Sequence, residues 1–216
     1  MFNSISELLA RVIVLFTAIT VHEYAHGYVA YKLGDPTAKY SGRLTLNPLS
    51  HLDPIGAVCM VLLGFGWAKP VPINPMYFRD RKRDTALTSL AGPLSNIVLA
   101  FLFSVVTAFY TVFVYSRFPN FLTGFIYTVF VQLAVVNISF AIFNLIPFPP
   151  LDGGKILGAF LSNENYMKLL QYERFGFPLL ILLSVSGILS RILMVFITPV
   201  YSAWVSLMDA LITLLS

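Results

Sequence analysis

Hydrophobic residues in this chain come in long runs separated by short polar or proline-rich stretches, and the runs predict the elements. The first, from about Ile5 to Leu33, is long enough to cross a bilayer as a helix and stops at Gly34-Asp35-Pro36. Gly42-Arg43-Leu44-Thr45-Leu46-Asn47-Pro48 alternates polar and apolar positions before a turn signal, which predicts a short β strand or hairpin. Asp53-Pro54 marks a helix start, and the apolar piece Ile55–Phe65 is too short to span, which predicts a re-entrant segment. Lys69-Pro70-Val71-Pro72-Ile73-Asn74-Pro75 predicts an extended loop close to the first helix's polar end. Asp84 is expected to cap a second full span, about Thr85 to Tyr115, and a third runs from about Phe121 to Ile146. That span ends in Pro147-Phe148-Pro149-Pro150, beyond which Lys155–Leu161 resumes as a short helix and Asn163–Arg174 makes a polar connection. Phe175–Leu215 is too long for one helix, and a turn at Gly187–Arg191 would divide it into two spans. The expected fold is therefore an all-α multi-pass membrane protein, with three spans in its first part and two further C-terminal spans. One membrane domain would cover residues 1–216, its core about 5–160 and its C-terminal helices about 163–215.

Composition agrees: 57% of residues are hydrophobic and 11% charged, where a soluble domain carries about 25% charged. The net charge of +4 is modest and its basic residues stand beside apolar runs, which points to membrane topology and away from nucleic acid. Lys32, Lys39 and Arg43 follow the first span, and Lys69, Arg79, Arg81, Lys82 and Arg83 precede the second. The positive-inside rule then places this end in the cytoplasm and the N-terminus outside, in the cell membrane. The single cysteine, Cys59, excludes an internal disulfide and a thiolate cage. The first run lacks a basic leader and a small-residue cleavage site, so a cleaved signal peptide is not expected.

Ionisable residues inside an apolar run are expensive and mark function. His22 and His26 are four residues apart, so on a helix they project from one face, one turn apart, as a Zn²⁺-binding pair does; Glu23 is rotated aside, placed to take a proton from water. A third protein ligand is needed. Asp152 is favoured, because the third span returns to the side where His26 lies and three prolines deliver Asp152 on unwound chain; His51 is the rival. Asn96, Asn137 and Asn144 would line a polar channel or join helices by hydrogen bonds. Asn144, and after it Asn96, is a candidate donor to a tetrahedral oxyanion.

Three motifs, His22-Glu23-Tyr24-Ala25-His26, Ala91-Gly92-Pro93-Leu94-Ser95-Asn96 and Asn144-Leu145-Ile146-Pro147 through Leu151-Asp152-Gly153-Gly154, stand in the order found in the site-2 protease family of intramembrane metalloproteases, which this sequence resembles. The resemblance is to a compact prokaryotic subgroup without peptide-binding or nucleotide-sensing domains. It implies that His22, His26 and Asp152 bind one zinc ion per chain, that Glu23 is catalytic and that Asn144 positions the substrate or its oxyanion. It also implies a three-helix catalytic core and cleavage of membrane-embedded proteins or peptides in or near their transmembrane segments (regulated intramembrane proteolysis); the charge pattern above would put the active site towards the cytoplasmic side. An extended substrate could pair with the predicted strand at Arg43, Leu44, Thr45, Leu46 and Asn47. The expected partners are the substrate and the lipid bilayer, and a homo-oligomer stays open. Two other functions compete: a metal-ion transporter or channel, and a non-catalytic binder of transmembrane helices. The first would be expected to show internal repeats, and none is found; neither needs a glutamate directly after the first histidine.

Overall fold

The computed structural model describes residues 5–56, 59 and 67–215. Helix α1, Ile5–Lys32, is followed by a single turn α2, Thr37–Tyr40, and by irregular chain with short 3-10 turns at Pro48–His51 and Pro75–Tyr77. Then come α3, Arg81–Tyr110, running on through a wider turn at Thr111–Tyr115, and α4, Phe121–Leu145. The chain ends with α5, Asp152–Phe160, α6, Asn163–Val185, and α7, Ile188–Leu215.

Helix ends follow from capping. Asn120 accepts from the Thr123 amide, and the Thr123 hydroxyl accepts from the Asn120 amide, a reciprocal box that starts α4 sharply after the turn. At α3 the cap is Asp80, which accepts from the Arg83 amide at 3.0 Å. The expected cap, Asp84, is instead buried inside the first turn, where it accepts from Arg83 Nε and from the Asp80 amide.

Helices α1, α3 and α4 form the centre and meet through small side chains. Ala10 and Ala18 on α1, Ala100, Ser104 and Ala108 on α3, and Ala134 and Ala141 on α4 are all buried. Lipid is as apolar as leucine, so helices in a bilayer gain more from close backbone approach than from excluding water. Away from the polar centre, Ala10 and Val14 pack against Val129 and Leu133. Helix α5 is laid across the unwound end of α4, and its two leading glycines make that possible: a Cβ at Gly153 would strike the Leu145 and Ile146 carbonyls, and one at Gly154 would stand 2.8 Å from Pro149 N. Helix α7 lies outside the centre and is tied to it by Trp204, whose Nε1 donates to Ser104 Oγ at 2.7 Å.

Three expectations need correction or restriction. Among the described residues the only β pairing is an isolated bridge, Leu52 with Ala68, and residues 43–47 form no strand. Their backbone and side-chain groups are used locally: Thr45 O receives the His51 ring, and Asn47 caps the turn at Pro48. The C-terminal stretch does divide at Gly187, whose φ of 73° suits glycine. Its first half, however, belongs to a helix that begins at polar Asn163, leaving an apolar part too short to cross; among the described residues four helices, α1, α3 with its continuation, α4 and α7, are long and apolar enough to span. The re-entrant segment Ile55–Phe65 falls mostly outside the described residues.

Candidate metal centre

Helix α1 presents His22 and His26 inward on one face, and α5 brings Asp152 against them. All three are buried, at 3%, 6% and 7% exposure. The two Nε2 atoms lie 3.0 Å apart, and each is 3.1 Å from Asp152 Oδ2. Asp152 sits in the first turn of α5 without serving as its cap.

Proton bookkeeping decides what this triangle holds. His22 Nδ1 is 2.6 Å from Asn96 Oδ1. The Asn96 amide nitrogen donates to Ala18 O and to Asn137 Oδ1, and the Asn137 nitrogen donates to Leu133 O, so the oxygen of Asn96 is the atom facing His22. His26 Nδ1 is 2.7 Å from Thr88 O. Both Nδ1 atoms therefore carry protons and donate, and in the neutral rings both Nε2 atoms offer lone pairs. Asp152 Oδ2 lies close to both nitrogens yet has no hydrogen-bond partner, and neutral rings protonated at Nδ1 have no second proton to give it. Three buried acceptors facing one another make a site that a cation would satisfy. A tetrahedral zinc with bonds of ~2.0–2.1 Å places its ligand atoms about 3.3–3.4 Å apart, close to the separations here, and two imidazoles with a carboxylate are a donor set zinc favours.

Helix α3 supplies the backing. Thr88, Gly92 and Asn96 follow one another at four-residue steps along the face turned to α1. Thr88 and Asn96 accept from the two rings, and Gly92, between them, leaves the space that the rings fill. Asn96, fully buried, has its oxygen and both amide protons committed, which makes it an orienting group for His22 in place of the oxyanion donor expected. Asn96→Ala is expected to weaken zinc binding about 10- to 100-fold, because the ring loses the bond that fixes its tautomer. Competition with a chromogenic chelator measures this, and an unchanged affinity would show that the bond does not matter.

The other expected residues are distributed as follows. Glu23 is half-buried, and its Oε2 accepts from the Val71 amide at 2.8 Å. Asn144 is buried in the last turn of α4, with Nδ2 donating to Phe140 O at 3.0 Å, and the Phe140 ring lies against His22. His51 is buried away from the cluster and bonded through Nε2 to Thr45 O; among the described residues the only group of three or more His, Cys, Asp or Glu able to hold a metal is His22, His26 and Asp152. Arg43 reaches Lys69 O. Sequence reasoning did not find the Thr88 carbonyl, the clearance at Gly92 or the Val71 amide. All three are backbone features whose partners lie far off in sequence.

Comparison with known proteins shows the family. Residues 10–183 match the profile of "Peptidase family M50". A Bacillus subtilis (strain 168) protein named "Putative zinc metalloprotease YwhC" is 40% identical over 184 residues, 84% of this chain and 83% of its own length. Rip2 of Mycolicibacterium smegmatis, whose name carries the same description, is 29% identical over 81% of this chain and 66% of its own. "Zinc metalloprotease MJ0392" of Methanocaldococcus jannaschii is 29% identical over 72% of this chain, which spans 36% of that protein. No solved structure matches.

Proposed function

This chain belongs to peptidase family M50, the site-2 protease family, and is an intramembrane zinc metalloprotease; on that footing we propose that it cuts membrane-embedded proteins in or near their transmembrane segments, with His22, His26 and Asp152 as zinc ligands and Glu23 as general base. The observation that carries the residue assignment is the buried triangle of acceptors, closed by Asp152 and backed by the two Nδ1 bonds. When bound, zinc supplies a Lewis acid that acidifies water and polarises a carbonyl.

The chain's own residues do the rest. Glu23, rotated off the ligand face of α1, takes the proton from the attacking water and passes it to the leaving amine. Asn144 has one amide proton committed to Phe140 O and a second free among the described residues, so it serves as donor to the developing oxyanion. Asn96 and Thr88 hold the imidazoles in one tautomer. The substrate helix unwinds before attack, since its peptide groups are otherwise engaged in its own ladder. We assign the whole chain to one membrane domain. The basic residues Lys32, Lys39, Arg81 and Lys82, gathered where α1 ends and α3 begins, favour a cytoplasmic position for this end and an external N-terminus. The substrates are those of regulated intramembrane proteolysis.

A metal transporter is the less favoured reading, because both imidazoles are fixed from behind by buried bonds, which suits a resident ion better than a passing one. The test is cleavage of transmembrane-segment peptides by the purified protein in liposomes. Cleavage is expected to stop when a chelator strips the metal and to return on adding Zn²⁺. Metal flux across the liposomes without cleavage would overturn the assignment.

A further inference from the structure

The segment Lys69–Pro75 runs extended beside α1, and a single backbone proton in it meets the side chain assigned as general base. Pro70 and Pro72 have none to give, and the Lys69 amide is spent on His51 O at 3.0 Å. The Asn74 amide is spent on Asp35 Oδ2, and it is the Val71 N–H that donates to Glu23 Oε2, at 2.8 Å; Oε1 receives no hydrogen bond among the described residues. We propose that Val71 is a positioning residue for Glu23: its amide fixes one carboxylate oxygen and so aims the other at the water. The inference rests on Glu23 acting as the base.

The surroundings are built to keep this amide in place. The Val71 side chain is buried and seats in a notch left by Gly27, one turn beyond Glu23 on α1; a Cβ at Gly27 would stand 3.2 Å from Val71 Cγ1 and 3.3 Å from Ala38 Cβ. On either side the segment is anchored by Arg43 Nη2 donating to Lys69 O at 2.7 Å and by the Asn74 amide donating to buried Asp35 Oδ2 at 2.7 Å. Pro72 restricts the backbone of Val71 to extended conformations, and Pro70 fixes its own φ immediately before it. A bond from an amide to a carboxylate is charge-assisted and stronger than a neutral one. Without it, a glutamate side chain with several rotamers spends less time in the productive orientation.

Val71→Pro deletes the proton and Val71→Ala keeps it, giving up only side-chain packing. With transmembrane-segment peptides as substrate, Val71→Pro is expected to lower kcat about 10- to 100-fold, leaving KM within about twofold and zinc stoichiometry at the wild-type value. Val71→Ala is expected to lose several-fold less. Wild-type kcat in Val71→Pro, or an equal loss in Val71→Ala, would overturn the inference and leave the protease assignment standing; an inactive wild type would sink that assignment instead. Should Val71→Pro fail to bind zinc, a backbone ester at position 71 removes the same proton with the side chain intact. The same loss of kcat is then expected, and an undiminished kcat refutes the role.

Discussion

Gly92→Ala is expected to empty the zinc site. A methyl group at this position would run into His26 Nε2 and stand 2.6 Å from His22 Cε1, far inside the ~3.5–4.0 Å at which carbon atoms pack. The rings have no room to retreat, because each is tied from behind to α3 itself, at Asn96 and at the Thr88 carbonyl, one turn to either side of Gly92. Either α3 shifts outward, taking both bonds with it, or the imidazoles rotate and their lone pairs leave the common point. Cleavage is expected to fall about 100-fold or more, with zinc stoichiometry falling in parallel. Gly124→Ala is the matching control: its nearest neighbour, Tyr115 Cε2, is 3.8 Å from the added carbon, so the variant should keep both metal and turnover. Full zinc occupancy in Gly92→Ala, measured by atomic absorption, would mean that the clearance was misjudged.

The second large effect separates chemistry from binding. Glu23→Gln keeps the shape of the side chain and can still accept from the Val71 amide through its carbonyl oxygen, but it does not take up a proton. Cleavage is expected to drop about 10²- to 10⁴-fold, the range spanned by loss of general acid–base catalysis. Zinc content should stay at the wild-type level, since Glu23 is not part of the donor triangle. A variant that loses its metal would make Glu23 a ligand and not a base.

Local periodicity made the first half of the centre legible. His22 and His26 need only the four-residue step of a helix to meet, and the helix is announced by an apolar run. Asp152 took more, namely proline chemistry to unwind the chain and span counting to return it to the right side. What stayed hidden depends on contacts remote in sequence. Gly92 reads as a small residue allowing close helix approach, and the structure shows which groups approach. Asn96 reads as a spare donor inside an apolar helix, yet its oxygen is the working atom, and only the positions of Ala18 and Asn137 reveal which way its amide points. Residues 43–47 misled because alternation of polar and apolar positions is also what a looped segment shows when each polar group has a local partner. Asn163–Arg174 is polar enough to read as a connection, but the chain is helical from Asn163, where Ser162 provides the cap.

The donor triangle also sets an order of events during biosynthesis. When α1 enters the bilayer it carries two imidazoles, but the groups that orient them arrive only with α3, and the carboxylate that completes the triangle arrives with α5, after α4 has crossed. A half-made chain thus has two ring nitrogens free to face anywhere and nothing to complete their grip on an ion. The donor set with its backing bonds is therefore a property of the finished bundle, since it exists only where α1, α3 and α5 have come together.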